Sequence, residues 1–528
     1  MQQGSTLTVA RKPQAGEPDL SAHVRTALRA LVPEACADGR INWALLQQLL
    51  GDAPDASAET FGLHWLGKRK ASQLALVPAT GTLQPCPKDS VDWDTTQHRI
   101  IEGDNLDVLK LLQQDYAGKV KLIYLDPPYN TGKDFAYPDD FTEGRRAYLL
   151  RTGQQIATRH AARAKPETAG RFHTHWLNMM YPRLILARDL LRQDGLICVS
   201  IDDHEAAHLR TICDELFGAE QFVAAIAVVN NLKGRSDDAC IATAHESLIV
   251  YAKDIAQLKL GGLPLSDALA DQYTEQDSLG RYKLIPLKKT GKGWRQVDRP
   301  NLCYPVYVTP DCRHVSLDPF VGAVELLPMR GTMFGRWRWG KDTFRQRCAQ
   351  DIVARPLRGG GISVFSKMRM DELGVERTLK AKSVWMDPKF ETGAGGRDLA
   401  ALGMADVFGS AKPVALIDEL LTIAAQADDI VLDFFAGSGT TGHAVLAHNA
   451  KSGKRCRFVL VQLAQRVDGQ GSDQRRAAAF CSSLGKPPTI AELTKERVRR
   501  AAVAVRSAHP DWQGDTGFRV FKLGTSHG

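Results

Sequence analysis

The residues Leu122–Thr131, LIYLDPPYNT, have types and spacing suited to holding a planar amine. The apolar run Val120–Leu125 predicts a buried parallel strand before them. Two prolines follow, and they fix φ and remove two N–H groups, which makes the loop rigid. Asp126 and the carbonyl of Pro127 could accept hydrogen bonds from an exocyclic amine, while the ring of Tyr129 could stack on the base. A Pro-rich structural turn explains this motif alone equally well.

A second motif, Ile430–Gly442 (IVLDFFAGSGTTG), predicts a strand that ends at Asp433, then a glycine loop, then a helix that begins near Thr440. Gly437 and Gly439 allow positive φ and close approach of a ligand to the backbone, so we expect a Cβ at either position to fill the ligand's space. The helix N-terminus would offer unpaired N–H groups to an anion. The spacing matches neither the dinucleotide motif nor a phosphate loop, and a structural glycine turn is the alternative.

Together the two motifs resemble those of amino-methyltransferases that use S-adenosylmethionine, and DPPY before FxGxG is the circularly permuted order of their β group. Further segments between residues 60 and 523 resemble the modification subunits of type III restriction–modification systems. These segments are Ile101–Lys110, Trp176–Leu184, Gly195–Glu205, His245–Lys253, Asp298–Tyr304, Gly335–Lys341 and Phe408–Pro413. The resemblance implies an α/β fold with a doubly wound, Rossmann-like sheet and an inserted α+β target recognition domain.

The resemblance also implies S-adenosylmethionine as the cofactor. The expected cofactor contacts are Asp104, Asn105, Lys412, Asp433, Phe435, Gly437, Ser438, Gly439, Thr440 and Gln462. Asp104 is equally well placed to cap the helix predicted after Gly103. Gln462 occupies a position where related enzymes often carry an acid for the ribose hydroxyls, and no acid follows until Asp468.

The implied reaction is methyl transfer to the exocyclic N6 amine of adenine in double-stranded DNA, after the base is flipped out of the helix. The expected catalytic residues are Asp126, Pro127, Pro128 and Tyr129. Asp126 favours adenine, because cytosine-N4 enzymes usually carry Ser there, and it disfavours protein-glutamine methyltransferases, which usually carry Asn. A DNA-specificity subunit with a decayed active site is the rival from another class, and Gln462 is the residue that keeps it open.

Five segments are predicted along the chain. They are an N-terminal arm with a small helical element (1–97), a first catalytic half (98–254), the inserted target recognition domain (255–400), a second catalytic half (401–470) and a C-terminal helical and strand element (471–528). Helical spacing over 23–50 indicates packing or dimer support. The polar stretch 143–173 predicts either a DNA-facing loop or a solvated surface. A helix is predicted over His175–Gln193 with Gly195 as its stop, followed by a strand over Leu196–Ile201. Later strands are predicted over Phe222–Asn230 and Ser247–Ala252, which pair, and over Arg457–Leu463.

Basic residues interleaved with aromatic ones predict contacts with nucleic-acid phosphates and bases. The expected DNA-binding residues are Phe135, Tyr137, Lys288, Lys289, Lys292, Trp294, Arg295, Arg336 and Arg338. An ordinary basic insertion with a solvated face would explain the same pattern. Net charge of +8 permits a polyanionic partner without requiring one.

The remaining features set limits on the function. Ten scattered cysteines without a CxxC pair, and no apolar span or signal core, predict a cytoplasmic protein with reduced thiols. Asp202–Glu205 (DDHE) could bind a metal, but capping of the next helix explains these acids, and we expect no metal. Double-stranded DNA and a second copy of the chain are the expected partners. A restriction subunit is a further candidate, although larger members of the family continue past Gly528, which argues against a stable complex.

Overall fold

The computed structural model describes residues 36–37, 40–41, 63–131, 171–234, 240–372, 375–467 and 471–525. The chain divides into two compact units. Unit 1 comprises 1–261 and 381–528, and unit 2 is the continuous segment 262–380. The predicted insertion, 255–400, is therefore wider than unit 2. Phe135 and Tyr137 lie outside the described residues, as do the stretch 143–170 and most of the segment 23–50. The residues of 23–50 that are described, 36–37 and 40–41, pair as two short antiparallel strands, so the prediction of helix is wrong there.

The helices of the described residues are numbered in chain order. They are α1 Lys68–Leu76, α2 Asn105–Tyr116, α3 Arg171–Leu190, α4 Ala206–Phe217, α5 Asp267–Ala270, α6 Lys341–Asp351, α7 Thr392–Ala401, α8 Val414–Ala424, α9 Thr440–Ser452, α10 Ser472–Ser483 and α11 Ile490–Ala508. Helices α5 and α6 belong to unit 2. Among the described residues, no helix is both long and apolar enough to cross a bilayer.

The strands of unit 1 are numbered together with those of unit 2, in chain order. Unit 1 contains β1 Cys36–Ala37, β2 Arg40–Ile41, β3 Gly81–Pro85, β4 Arg99–Glu102, β5 Val120–Leu125, β6 Leu191–Ile201, β7 Phe222–Val229, β8 His245–Ala252, β22 Val384–Trp385, β23 Ile430–Asp433, β24 Arg457–Gln462 and β25 Arg519–Thr525. Ten of them form one sheet in the order β22-β7-β8-β6-β5-β23-β24-β4-β25-β3. The α/β class is thus confirmed, whereas circular permutation stays an interpretation of the motif order.

The centre of this sheet is parallel and buried. β23 pairs in parallel with β5 on one side and with β24 on the other. All six residues of β5 are buried, as expected for a strand covered on both faces. The parallel pairs place the carboxyl ends of β5 and β23 at one edge of the sheet, where ligands bind in folds of this type.

The predicted boundary between α3 and β6 is wrong. The helix ends at Leu190, and β6 begins at Leu191, so that Gly195 lies inside the strand and does not stop the helix. A Cβ at Gly195 would come within 2.9 Å of the Val120 carbonyl oxygen, close to an irregularity in the pairing of β5 with β6. The glycine therefore permits a bulge, a role that looks the same in sequence as a helix stop.

The late strands agree with prediction. β7 and β8 pair antiparallel, and β8 also pairs antiparallel with β6. The short strand β22 adds to β7 from residues that the sequence analysis had placed in the insertion. Residues 384–385 thus extend the sheet of unit 1.

Unit 2 has strands and a core of its own. Its strands are β9 Leu263–Pro264, β10 Glu275–Asp277, β11 Gly280–Pro286, β12 Val306–Val308, β13 Val315–Ser316, β14 Val324–Leu326, β15 Met329–Arg330, β16 Met333–Phe334, β17 Ile352–Pro356, β18 Ile362–Arg369, β19 Asp371–Glu372, β20 Val375–Glu376 and β21 Thr378–Leu379. Tyr304, Trp337 and Phe344 are buried in one cluster, and the indole N–H of Trp337 donates to the Tyr304 carbonyl at 2.7 Å. The stretch Arg336–Trp339 therefore contributes to the core of unit 2 as well as to its surface.

Candidate functional site

The two sequence motifs meet in one cavity of unit 1. Asp126 follows β5, and Asp433 ends β23, its parallel neighbour. The cavity has a volume of about 330 Å³. Its walls are formed by Tyr124, Asp126, Pro127, Pro128, Tyr129, Thr131, Asn230, Glu246, Phe390, Thr392, Phe408, Ser410, Ala411, Lys412, Pro413, Asp433, Phe435, Ala436, Gly437, Ser438, Thr440, Gln462, Gln465 and Ile490.

An ionic cluster occupies the wall beside the DPPY loop. The Lys412 ammonium lies 2.6 and 2.7 Å from the two carboxylate oxygens of Glu246 and 3.4 Å from Oδ1 of Asp126. Lys412 also donates to the Tyr129 hydroxyl at 2.5 Å, and that hydroxyl donates to Glu246 at 3.1 Å. Two carboxylates thus share one ammonium, which leaves the cluster with a formal net negative charge when all three are ionised.

Burial and charge act in opposite directions on this cluster. Burial raises the pKa of Asp126, the Lys412 ammonium opposes that rise, and the charge of Glu246 adds to it. Burial by itself would lower the pKa of Lys412, but the carboxylates of Asp126 and Glu246 outweigh burial, so this pKa is raised. Lys412 therefore stays an ammonium and favours the ionised form of Asp126.

The DPPY loop is held from outside the cavity. The indole N–H of Trp176 donates to the Pro128 carbonyl at 2.7 Å, which occupies an acceptor of the second proline. Asn130 adopts a left-handed φ of 59° and donates to Glu205 at 2.5 Å. These contacts hold the loop at Pro128 and Asn130, while Asp126 and Pro127 line the cavity.

Glu205 is fully buried and also contacts two histidines. Its carboxylate oxygens lie 2.8 Å from Nδ1 of His173 and 2.9 Å from Nδ1 of His208. The ligand atoms of these three residues lie within 4.8 Å of one another, a spacing that could accommodate a metal ion. His173, His208 and Asn130 already supply hydrogen-bond partners to this carboxylate. The absence of a bound metal stays a prediction.

The glycine loop has the predicted left-handed backbone, with φ of 52° at Gly437 and 85° at Gly439. We expected a Cβ at Gly439 to fill the ligand's space, and this explanation is wrong. The Cβ would lie 3.0 Å from the backbone oxygen of Thr494 in α11, so Gly439 permits close packing of α11 against the loop, behind the cavity. A Cβ at Gly437 would lie 3.6 Å from the ring of Phe408, which lines the cavity. Of these two glycines, only Gly437 therefore leaves free a space that a side chain would occupy on the cavity side of the loop.

Asp433 supports the loop from below. Its carboxylate accepts the Phe435 N–H at 3.0 Å and the Thr441 hydroxyl at 2.6 Å. Burial raises the pKa of Asp433 to about 7, although both hydrogen bonds oppose the rise. The side chain is 3% exposed and lines the cavity, so it joins strand, loop and helix α9 at one point.

Gln462 is placed beside the same loop. Its Oε1 accepts the Gly437 N–H at 2.7 Å, and its side-chain amide donates to the Leu463 carbonyl at 3.2 Å. The amide oxygen thus holds the glycine loop in a way that a carboxylate could also do. The predicted role at ribose hydroxyls stays untested.

Asp104 and Asn105 lie behind the cavity lining. Asp104 caps α2, because its Oδ1 accepts the Leu106 N–H at 2.9 Å. Asn105 is buried, donates to the Phe434 carbonyl at 2.8 Å and accepts from Arg183. The capping role of Asp104 is observed, and Asn105 supports the loop that follows β23.

Several expected DNA contacts in unit 2 also serve its structure. Lys288 donates to the Met329 carbonyl at 3.0 Å, Arg336 donates to the Gly293 carbonyl, and Arg338 donates to the Pro286 carbonyl at 2.9 Å. Trp294 is half-buried with Arg330 at 5.1 Å from its ring. Lys289 is half-buried, while Lys292 and Arg295 are exposed.

No pattern in the sequence singled out Glu246, although it lies in the segment His245–Lys253 that carries the family resemblance. The resemblance assigned Lys412 to the cofactor, which stays a prediction, and the structure adds contacts of its ammonium with Asp126 and Glu246. Phe390, which no motif contains, and Phe408, from the segment Phe408–Pro413, add an apolar wall. Their contributions depend on segments that are distant in sequence, and no spacing rule joins them.

Comparison with known proteins gives consistent matches. A family model described as DNA methylase matches residues 120–463, which is more than half of the chain. The type III restriction-modification enzyme EcoPI Mod subunit of Escherichia phage P1 is 35% identical over 86% of this chain and 70% of its own length. The StyLTI Mod subunit of Salmonella typhimurium is 32% identical over 89% and 67%, respectively. The type II methyltransferase M.KpnI of Klebsiella pneumoniae is 31% identical over 70% and 81%.

Proposed function

Because the chain belongs to the DNA methylase family, and to its type III modification subunits, we propose that it transfers a methyl group from S-adenosylmethionine to the N6 amine of adenine in double-stranded DNA. One observation carries the proposal. Asp126 and the first proline of the DPPY loop share a cavity with the glycine loop Phe435–Thr440. An amine acceptor and a candidate cofactor loop are therefore placed around one space.

The residues present fit the cofactor. The left-handed glycine loop leaves the cavity open at Gly437, and Ser438 and Thr440 line it. These residues would hold the amino-acid end of the cofactor, and the apolar rings of Phe408 and Phe435 would contact its less polar part. When bound, S-adenosylmethionine supplies an electrophilic sulfonium methyl group.

The chain's own contribution is to position and polarise the target amine. An aromatic amine is a weak nucleophile because its lone pair is delocalised into the ring. The Asp126 carboxylate and the Pro127 carbonyl would accept its N–H bonds and favour the pyramidal form, with electrostatic preorganisation as the main source of rate. The Lys412 ammonium favours the ionised form of Asp126 and so opposes the effect of burial on its pKa. The Tyr129 ring would stack on the flipped base.

The aspartate before the two prolines supports adenine as the target, and the intact ionic cluster supports an enzyme over a decayed specificity subunit. The names of the Mod relatives support a restriction subunit as a partner. A homodimer is a further prediction. Light scattering on the purified chain would distinguish a dimer from a monomer.

Replacing the acid tests the reaction directly. Asp126→Ala should reduce methyl transfer to DNA by roughly 100-fold or more, the size of losing one preorganised charge-stabilising contact. Cofactor affinity measured by calorimetry should change little. Asp203→Ala, an exposed acid after β6, is the matched control and should keep normal turnover. Near-normal methylation by Asp126→Ala would remove this residue from the mechanism, and modified DNA that contains no N6-methyladenine would refute the proposed target.

A further inference from the structure

Arg497 is a fully buried cation directly behind the glycine loop. It lies on α11, and its side chain is 0% exposed. Thr494, one turn earlier, donates its hydroxyl to the Gly437 carbonyl at 2.6 Å, so this face of α11 packs against the loop. The position places a positive charge beneath a wall of the cavity.

One nitrogen of Arg497 reaches the residues that line that wall. Its Nη1 donates to Ser438 Oγ at 2.6 Å and to Thr440 Oγ1 at 2.7 Å. Within the described part of the chain, its Nε and Nη2 are buried without a hydrogen-bond partner. No carboxylate of the described residues lies within ion-pair distance of it.

The nearby titratable groups do not neutralise this charge. Asp398 favours it electrostatically, but the Asp398 carboxylate accepts the Val414 N–H at the start of α8. Burial lowers the pKa of His443 to about 3, so that imidazole is neutral. Burial lowers the pKa of Arg497 to about 10, which still leaves it protonated near neutral pH. An isolated buried charge is unfavourable, and a bound anion would offset that cost.

The hydrogen bonds from Arg497 determine the directions in which the hydroxyl groups of Ser438 and Thr440 can donate. Both hydroxyl oxygens accept from Arg497, so their own hydrogens must point elsewhere. Thr440 donates to the Lys412 carbonyl at 3.2 Å, and Ser438 is left to donate to Thr440 or into the cavity. The N-terminus of α9 begins at the same place and adds the favourable end of a helix dipole.

We propose that Arg497 is a positioning residue that acts through the Ser438 hydroxyl to favour the carboxylate of the cofactor's amino-acid end. This inference rests on the proposed function. It predicts that Arg497 discriminates between ligands by the presence of a carboxylate. A purely structural role would affect all ligands of the cavity alike.

Calorimetry with two ligands separates these roles. S-Adenosylmethionine and its decarboxylated form differ only in the carboxylate. Arg497→Met should weaken binding of S-adenosylmethionine by roughly 10-fold or more, in line with the loss of a charge-assisted interaction. Binding of the decarboxylated form should stay within about twofold or improve, since the remaining ligand is cationic. Arg506→Met, an exposed arginine on the same helix, should change neither affinity.

A second variant keeps the test decisive if Arg497→Met does not fold. Ser438→Ala removes the hydroxyl through which the charge acts, and it should show the same preference for losing the carboxylate-bearing ligand. Equal losses for both ligands, or no loss, would overturn the role of Arg497. If the wild-type protein binds neither ligand, the proposed function itself fails, which is a distinguishable result.

Discussion

At the scale of single residues, Lys412 shows most clearly what only the folded chain reveals. The resemblance placed it beside the cofactor, which stays a prediction, and the structure shows that its ammonium also joins Asp126 and Glu246. The sequence separates Lys412 from Glu246 by 166 positions, so no local pattern could connect them. Asp126 was predictable because it stands in a compact motif after an apolar strand.

The ionic cluster predicts opposite pH effects from two substitutions. The Asp126 carboxylate must be ionised to accept the amine, so methylation should fall as pH falls through its pKa. Lys412 lowers that pKa, and Glu246 raises it. Lys412→Met should therefore move the acidic limb of the pH–rate profile to higher pH, whereas Glu246→Gln should move it to lower pH.

Steady-state rates at saturating cofactor and DNA would measure these profiles. Cofactor affinity should be measured alongside, because Lys412 was first expected to bind the cofactor. Shifts of the two limbs in the same direction would contradict the assigned electrostatic roles.

Asp433 predicts a pH dependence of stability. Its pKa is raised from 3.8 to about 7 in the folded protein, so the folded state binds the extra proton. The contribution of this raised pKa to the free energy of unfolding is fully present below pH 3.8 and is lost as pH rises through about 7. Asp433→Asn has no such titration, so its stability relative to wild type should increase by up to about 4 kcal/mol across that range. Urea unfolding at pH 5, 6, 7 and 8 checks this, and parallel curves would contradict it.

At the scale of elements, apolar runs predicted the strands well, and glycines were the source of error. β5, β7, β8, β23 and β24 fall where hydrophobic runs predicted them. Gly195 was misread because a bulge and a helix stop demand the same residue. Gly439 was assigned to the wrong face because the sequence does not show that α11 packs behind the loop.

The glycine loop offers a test of that distinction. Gly439→Ala should lower the free energy of unfolding by roughly 1–3 kcal/mol, since it adds left-handed strain and a 3.0 Å approach to Thr494. Gly437→Ala carries the strain without a backbone clash and should chiefly weaken cofactor binding. Denaturant unfolding and calorimetry on both variants measure the two effects. If Gly439→Ala were as stable as Gly437→Ala, the close packing against α11 would have no energetic weight.

At the scale of the whole molecule, charge was predictable but its use was not. The basic run that includes Lys288, Lys289, Lys292 and Arg295 was expected to contact phosphates. Lys288 also bonds to a carbonyl of unit 2, so part of the run has a structural role. A basic surface and a basic core strand have the same composition, and only the fold separates them.

Neutralising these four residues together tests the phosphate contacts. Replacement by Gln should weaken DNA binding across all sequences and flatten its salt dependence, because fewer counterions are released. Sequence preference should survive, since phosphate contacts position without specifying. The matched control replaces four exposed basic residues elsewhere in unit 2. These are Arg313, Arg345, Arg358 and Lys380. An equal loss from both sets would show that overall charge, and not a site, drives binding.

The sheet order also has a consequence for how the chain must be made. Among the described strands, β4 pairs with β24 and β25, and β3 pairs with β25 alone. On the ribosome, β5 to β8 can associate as they emerge, but β3 and β4 must wait until β24 and β25 have been translated. Such distant pairing slows folding and leaves strand edges open to aggregation. Translation is therefore the interval in which this protein most needs a chaperone, and a nascent chain stalled before β24 would carry two orphaned strands at its N-terminal end.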